Sequence, residues 1–277
     1  MIFRRPDGTP VPDVPPYRRM MPWLMRGKNE SAVTFEQRLD VSRTLAFLER
    51  RRAADEHEHA TLFHVVLWAI TRALDERPRL NRFVSGGRLW QREGIWLSYS
   101  AKKRFDDRSP VVVVKQRMDP RMTFPELVGA VREQVTRGKS DERSHTDREM
   151  DLLLRLPGPI LGLAVRLVRA VDSLGWLPRA FVQPDPFFAS AFVANLGSLG
   201  MDAAYHHLYE YGTIPIFCVL GRVKDEPLVI DGRVEVRPTA VLRYTYDERI
   251  EDGLYAMRSL DRVRQLVEDP EAANAAG

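Results

Sequence analysis

The spacing of apolar residues switches repeatedly between a strand period and a helix period along the chain. Residues 31–40, SAVTFEQRLD, alternate between apolar and polar positions, which predicts a half-buried β-strand. Residues 62–78, LFHVVLWAITRALDERP, are apolar on nearly every side, which predicts a central buried helix capped by Thr61. A last long helix is predicted within residues 251–270, EDGLYAMRSLDRVRQLVEDP. Helices and strands therefore both contribute to the predicted core.

Short turns connect several of the predicted strands. Glycine-containing turns at 85–87 and 92–94 separate the strands of a β-meander, and Asp231-Gly232 reverses the chain in a hairpin. Strands and helices alternate without regular βαβ spacing, which predicts an α+β fold with a mixed sheet. One core domain is predicted over residues 17–270. We expect an extended, proline-rich N-terminal arm before it (1–16) and a flexible tail after it (271–277).

Composition narrows the possible partners and the compartment. The chain has 277 residues, of which 44% are hydrophobic and 29% charged, as in an ordinary globular protein. Its 42 basic and 38 acidic residues are interspersed, so the net charge of +4 does not indicate nucleic-acid binding. A lone cysteine, Cys218, excludes a disulfide within the chain and is predicted to be a buried structural thiol. Without the apolar segment of a signal peptide, a cytoplasmic location is expected.

The most apolar part of the chain is a predicted helical insertion at about 146–182. Its most hydrophobic stretch contains three arginines, Arg155, Arg166 and Arg169. These are too many charges for a membrane-spanning helix. Helical spacing places four apolar residues on one face: Leu163, Leu167, Val171 and Leu174. Three interpretations of residues 150–182 remain open: core packing with a trimer contact, an enlarged acyl-binding cavity, or peripheral contact with a membrane.

Four stretches in order resemble a known family. They are ALDERPRLNRF (73–83), FVANLGSLG (192–200), the long strand segment from IFCVLGRV to YTYDERIEDG (216–253), and LVEDP (266–270). Together they resemble the catalytic core of the dihydrolipoamide acyltransferases of 2-oxoacid dehydrogenase complexes, and their relative chloramphenicol acetyltransferase. The resemblance extends from about residue 17 to residue 270.

The resemblance implies a two-layer α/β sandwich with a mixed sheet, assembled as a homotrimer or a higher oligomer. It implies coenzyme A as a substrate, entering a channel between subunits, and no covalently bound cofactor or metal. In the family, a histidine in an Asp-His-Arg-x-x-Asp-Gly motif is the general base. A hydroxyl before an Asn-Leu-Gly turn helps to hold the oxyanion. The motif's second aspartate is structural: it ties the corner by an ion pair, and the glycine lets the chain turn.

The residues that shape these motifs are present, but the general base and the oxyanion donor are both replaced. The residues that match are Arg249, Asp252, Gly253, Asn195 and Gly197, whereas Glu248 stands at the histidine position and Ala194 at the hydroxyl position. An imidazole with a pKa of about 6.5 suits proton abstraction at neutral pH better than an ordinary carboxyl group with a pKa of about 4.3. Losing one oxyanion donor costs about 100- to 1,000-fold in rate.

Two functional hypotheses follow. The first is a stand-alone acyltransferase-fold protein, without a lipoyl-bearing domain, that acts as a non-catalytic scaffold or binding protein. In that case Glu248 only pairs with Arg249 or another basic residue at the subunit interface. The second is an active CoA-dependent acyltransferase with altered chemistry that uses Glu248, or His206 or His207, as its base. Acyl-CoA or lipid is the small-molecule partner expected.

Three further candidate features lie outside these motifs. His206 and His207 follow the Asn-Leu-Gly turn, and His206 is four residues from Glu210, a spacing that could form part of a metal site. An aromatic-rich loop packed at an interface would explain the same residues. Lys102 and Lys103 could attract the phosphates of coenzyme A, or lie in a solvated loop.

Overall fold

A seven-stranded mixed sheet forms the centre of the chain. The computed structural model describes residues 4–55, 59–102, 111–139, 155 and 157–275. Its strands are β1 (Gly8–Pro10), β2 (Ala32–Asp40), β3 (Arg82–Ser85), β4 (Arg88–Arg92), β5 (Ile95–Lys102), β6 (Val111–Met118), β7 (Ala191–Asn195), β8 (Ile216–Leu220), β9 (Lys224–Ile230) and β10 (Arg233–Asp247). The large sheet has the order β2-β10-β8-β7-β5-β6, with β9 also paired to β10. The β5–β7 and β7–β8 pairs are parallel and the other pairs antiparallel.

Helices cover one face of this sheet, which confirms the predicted two-layer α+β sandwich. The described helices are α1 (Pro16–Leu24), α2 (Ser42–Ala54), α3 (Leu62–Glu76), α4 (Phe124–Lys139), α5 (Gly158–Ser173), α6 (Arg179–Val182), α7 (Gly253–Glu268) and α8 (Pro270–Ala275). Of these, α2, α3, α4 and α7 contact the large sheet, whereas α1 contacts β4. Helix α3 is the central one, because 11 of its 15 residues are buried. At its start the Thr61 backbone N–H donates to Nδ1 of His64 at 3.2 Å, as in a capping box with His64 in the glutamate position.

The N-terminal arm is fastened to the rest of the chain. Its β1 pairs with β4 in a second sheet of order β1-β4-β3. Arg5 is buried and forms ion pairs with Asp7 at 2.9 Å and with Asp172, at the end of α5, at 2.8 Å. At the other end of the chain, residues 270–275 form α8, so the tail predicted to be flexible begins as a helix.

Helix α5 lies on the surface with none of its residues buried. Leu163 and Leu167 are 66% and 62% exposed, whereas Val171 packs against the buried cluster of Leu177, Val182 and Phe188. Core packing therefore accounts for only part of the stripe within the single chain. Periodicity predicts which face of a helix is apolar but not whether another element covers it. Within the described residues no helix is long and apolar enough to cross a membrane.

Candidate functional site

A buried ion pair holds the corner between β10 and α7. Arg249 donates from Nε and Nη2 to the two carboxylate oxygens of Asp247, at 2.8 and 2.7 Å, and both side chains are at most 4% exposed. Arg249 Nη1 also donates to the carbonyl oxygens of Met25 and Arg26, and Ser31 Oγ donates to Asp247. The corner is therefore tied to the segment that joins α1 to β2.

Glu248 projects from this corner without a polar partner for its carboxylate in the described part of the chain. Its backbone is fixed, because its N–H donates to the Ser31 carbonyl at 3.0 Å and its carbonyl accepts from Arg18 Nη1 at 3.1 Å. The side chain is half-buried. Since Arg249 is occupied by Asp247, the predicted Glu248–Arg249 pair is not formed. The carboxylate is thus available to a substrate or to a neighbouring subunit.

Glu251, which the sequence reading did not single out, anchors the same corner from the other side. It is 3% exposed, and one of its carboxylate oxygens lies 3.0 Å from Arg82 Nη1 and 3.3 Å from Arg79 Nε. Its other oxygen accepts from the backbone N–H of Asp252 at 3.1 Å. The ion pairs that stabilise this corner are therefore made by two buried carboxylates, Asp247 and Glu251, and not by Asp252 as the family pattern predicts.

Asp252 and Gly253 have different roles from those predicted. Asp252 is exposed and is the N-cap of α7, accepting from the Tyr255 backbone N–H at 2.9 Å, a contact that lowers the pKa of its carboxyl group. Gly253 does not have a positive φ, and an added Cβ there would meet only the Tyr246 hydroxyl oxygen, at 3.9 Å. The glycine is therefore not needed for the turn.

We expect Asp252→Ala to lower the free energy of unfolding by about 1 kcal/mol, the usual cost of removing a helix N-cap. This is less than the 3 kcal/mol or more, roughly, that loss of a buried ion-pair partner would cost. Chemical denaturation of the two proteins measures the difference. Asp252→Ser keeps a capping oxygen and should be close to wild type. A loss as large as that of a buried pair would contradict the capping role.

Ala194, Asn195 and Gly197 lie where β7 ends. Ala194 is half-buried and packs against the apolar cluster that contains Phe217 and Val219. The Asn195 side chain accepts from the Ser198 backbone N–H at 3.1 Å and so shapes the turn. At Gly197 an added Cβ would lie 2.5 Å from the carbonyl oxygen of Gly221, so only glycine fits there. The turn is built, but its strand end presents a methyl group instead of a hydroxyl.

Within one chain, Ala194 and Glu248 lie at opposite ends of the sheet. Ala194 pairs with Val219 on β8, and Val219 pairs with Arg243 on β10. Glu248 follows Arg243 by five residues, which at about 3.3 Å per residue amounts to roughly 17 Å along the strand. The two positions cannot contact one molecule of acceptor within a single chain. A shared site would need one residue from each of two subunits.

The two histidines form an aromatic stack on the sheet. The His206 ring lies parallel to Phe217, with centroids 3.9 Å apart, and also stacks on His207 at 4.4 Å. Its Nδ1 is 2.7 Å from the His207 carbonyl oxygen, and burial lowers the pKa of His206. The packed aromatic loop is therefore what this segment forms. Its face is the one that carries Ala194, not the corner that carries Glu248.

Glu210 is committed to a neighbouring turn. Its carboxylate accepts from the backbone N–H groups of Lys28 and Asn29, at 3.1 and 3.0 Å, and from Asn29 Nδ2 at 2.8 Å. These contacts leave it unsuited to the metal site suggested by its spacing from His206. In the described ranges no group of three or more His, Cys, Asp or Glu residues could hold a metal ion.

Lys28 is a buried cation that the sequence pattern did not reveal. It is 6% exposed, and its Nζ donates to the carbonyl oxygens of Gly212 and Tyr209 at 2.6 and 2.8 Å. Burial lowers the pKa of Lys28 to about 7, although the carboxylates of Asp247 and Glu210 favour its charged form. Only the fold brings these groups together, since they lie about 180 residues or more apart in sequence.

The free energy of unfolding should therefore rise with pH above about 7. In that range Lys28 keeps its proton in the unfolded chain but loses it in the folded chain. The slope is at most about 1.4 kcal/mol per pH unit for one group. Lys28→Met should flatten the rise, measured as the free energy of unfolding between about pH 7 and pH 9. Lys224→Met, at a side chain that is 37% exposed, is the control and should keep the slope. An unchanged slope in Lys28→Met would refute the assignment.

Of the two lysines predicted to attract coenzyme A, the structure describes only the backbone of Lys102. Lys102 ends β5, paired in register with Val111, and its side chain lies outside the described residues. Lys103 lies outside them altogether. Elsewhere in the chain, Cys218 is buried as predicted, and burial raises the pKa of its thiol.

Sequence comparison finds that the C-terminal part of the chain is similar to a known family. Residues 189–275 match the family model of the 2-oxoacid dehydrogenases acyltransferase (catalytic domain). The bovine mitochondrial dihydrolipoyllysine-residue succinyltransferase component of the 2-oxoglutarate dehydrogenase complex is 43% identical over 58 residues, which is 20% of this chain and 13% of the relative. Its counterpart from Bartonella vinsonii is 43% identical over 49 residues, 18% of this chain and 12% of the relative. The matches thus span only about an eighth of these relatives.

Structural comparison extends the likeness to the whole chain. A dihydrolipoamide acetyltransferase from Azotobacter vinelandii has a TM-score of 0.63 at 17% identity, covering 95% of this chain and 93% of that one. A chloramphenicol acetyltransferase has a TM-score of 0.51 at 12% identity, with 95% and 98% covered. At such identities the likeness shows the fold. The match at residues 189–275 and the shared fold confirm the predicted resemblance: the chain is similar to the catalytic core of the 2-oxoacid dehydrogenase acyltransferases.

Proposed function

We propose that this chain is an acyltransferase-fold protein that no longer transfers acyl groups by the family's mechanism and acts as a non-catalytic scaffold or binding protein. The observation that carries the proposal is the pair of replacements at the two positions that matter, Glu248 and Ala194. The Ala194 methyl group cannot donate a hydrogen bond to an oxyanion, and such donors contribute about 100- to 1,000-fold in rate. A general base contributes about 100- to 10,000-fold more.

We propose that the basic unit of the assembly is a homotrimer, located in the cytoplasm. The separation of Ala194 from Glu248 supports assembly, because only a neighbouring subunit could bring the two corners of a family-type site together. One of the structural neighbours is the cubic core of a pyruvate dehydrogenase multienzyme complex, a protein that does assemble. Light scattering at micromolar concentration tests the proposal, and a monomer would overturn it.

A second candidate function is favoured by the Glu248 carboxylate, which has no polar partner among the described residues. A half-buried carboxylate whose backbone is fixed at both peptide groups is positioned to act as an altered general base in a CoA-dependent acyltransferase. His206 is less suited to this role, because its ring is stacked on Phe217 and its Nδ1 lies against a carbonyl oxygen.

One assay separates the two functions. Purified protein is incubated with acetyl-CoA and either dihydrolipoamide or simple alcohols, and release of the free coenzyme A thiol is followed. The scaffold proposal expects no turnover above background in wild type or in Glu248→Gln, with equal stability of both proteins. Turnover in wild type that disappears in Glu248→Gln would overturn the scaffold proposal and establish the carboxylate as the base.

A further inference from the structure

Exposed apolar side chains are concentrated in two segments of the chain. Of the 20 large apolar residues exposed in the described part of the chain, ten lie either in α1 or between 160 and 176. These are Tyr17, Met20, Trp23 and Leu24, together with Ile160, Leu163, Val165, Leu167, Leu174 and Trp176. Contiguous exposed apolar surface on a protein marks an interaction site more often than chance.

The β3–β4 turn joins these two segments into one surface. Gly86 and Gly87 both have positive φ, +58° and +69°. A Cβ added at Gly87 would lie 2.6 Å from Cζ2 of Trp23, and one added at Gly86 would lie 1.9 Å from the carbonyl oxygen of Ser173. Helix α1 and the end of α5 therefore rest on adjacent residues of the same turn. We call α1, this turn and α5 with Trp176 the α1–α5 surface.

The charges on the α1–α5 surface are almost all positive. Helix α1 contains Arg18 and Arg19 and no acidic residue; of the two, Arg18 is largely buried and lies 3.9 Å from Glu251, whereas Arg19 is exposed. Helix α5 contains Arg166 and Arg169, and its single acidic residue, Asp172, is bound by Arg5 at 2.8 Å. An exposed apolar stripe beside an arginine-bearing face is typical of helices that lie in the plane of a membrane interface.

A cavity opens between the two helices. It has a volume of about 230 Å³ and is lined by Pro22 and Arg26 on one side, Val168 and Arg169 on the other, and Gly86 and Gly87. Among its remaining charged groups, Asp172 and Arg249 are held in ion pairs within the chain. Lys28 donates to the carbonyl oxygens of Tyr209 and Gly212, and Glu210 accepts from the backbone N–H groups of Lys28 and Asn29. Neither Arg26 nor Arg169 has an ion pair with another described residue, so both guanidinium groups can bind an external anion.

We propose that the α1–α5 surface binds membranes of anionic phospholipid, with its apolar side chains at the acyl boundary and a lipid phosphate in the cavity between Arg26 and Arg169. A second copy of the chain fits less well, since this surface offers no unpaired acidic residue to receive the partner's arginines. The binding mode needs no spanning helix. It goes beyond the proposed function and does not depend on whether Glu248 is catalytic.

Flotation with lipid vesicles tests the proposal on the whole protein. Wild type is expected to float with vesicles of equal parts phosphatidylcholine and phosphatidylglycerol at low salt, but not with phosphatidylcholine alone. Leu163→Glu with Leu167→Glu should weaken binding by about 100-fold or more, because two buried leucines are lost from the contact. Arg26→Gln with Arg169→Gln should weaken it by about 30-fold. Added salt should weaken binding of the wild type.

The matched control carries Leu254→Glu and Met257→Glu, which replace two residues of α7 that are 57% and 49% exposed. It should bind vesicles like wild type. All variants replace exposed residues and should keep the melting temperature of wild type. Absence of flotation at low salt, equal binding to neutral vesicles, or full binding by the leucine double variant would each overturn the proposal. So would a fall in particle mass for the leucine double variant without lipid, since the surface would then be a contact between copies.

Discussion

Replacing Arg249 by alanine is expected to lower the free energy of unfolding by about 3–5 kcal/mol, the cost of leaving one member of a buried ion pair without its partner. The Asp247 carboxylate would lose two short hydrogen bonds while remaining buried. The carbonyl oxygens of Met25 and Arg26 would lose their donor as well. A single guanidinium group thus serves all these acceptors.

Denaturant unfolding at one fixed protein concentration measures this effect, since subunit association would add a concentration-dependent term. Arg237→Ala is the matched control. Arg237 also pairs with a carboxylate two residues away, Glu235, but both side chains are about 40% exposed. Its loss should cost no more than about 1 kcal/mol. Similar losses in the two variants would show that burial of the Asp247–Arg249 pair does not set its contribution.

Local features of the fold could be predicted from the sequence because their causes are local. The hairpin at Asp231-Gly232 forms because these two residues accept positive φ, +48° and +78°. Helix α3 is recognised from a run of apolar residues that its neighbours must cover. The motif order added what periodicity could not, namely the two-layer sandwich of an acyltransferase core.

Features that depend on distant partners could not be predicted in the same way. Asp247 and Asp252 are both aspartates of one short motif, and only the structure shows that Asp247 lies beside Arg249 in the interior while Asp252 caps a helix. Whether α5 is exposed depends on which other elements pack against it. Arg5 binds Asp172, at the end of this helix, from 167 residues away in the sequence. The spacing of apolar residues in the sequence is the same for a buried helix face and for an exposed one.

The buried cluster around Lys28 shows the same limit at the candidate site. Lysine at that position carries no pattern in the sequence, since it precedes a strand in a polar stretch, RGKNES. Its burial follows from the loop at 208–212, which supplies carbonyl oxygens from one side, while Glu210 holds the adjacent backbone. The corner that positions Glu248 is therefore built by three separate segments, of which sequence motifs identify one.

Restoring the two replaced groups together should restore acyl transfer. We expect Glu248→His combined with Ala194→Ser to transfer acetyl groups from acetyl-CoA to dihydrolipoamide at least about 100-fold faster than wild type, the lower limit for a general base or an oxyanion donor alone. The framework for both substitutions is present, because the Glu248 backbone is held by Ser31 and Arg18, and Asn195 still shapes the turn after Ala194. A double variant that folds and assembles but stays inactive would contradict this expectation.

Mixing the two single variants tests where the site lies. Since Ala194 and Glu248 are roughly 17 Å apart along the sheet of one chain, neither Glu248→His nor Ala194→Ser alone can create a complete site. In mixed assemblies refolded or co-expressed together, some interfaces would carry the histidine from one subunit and the serine from its neighbour. Such mixtures should be more active than either single variant, because only they bring both groups to one interface. Activity confined to chains that carry both substitutions, with none in the mixtures, would show that the two corners do not meet across a subunit interface.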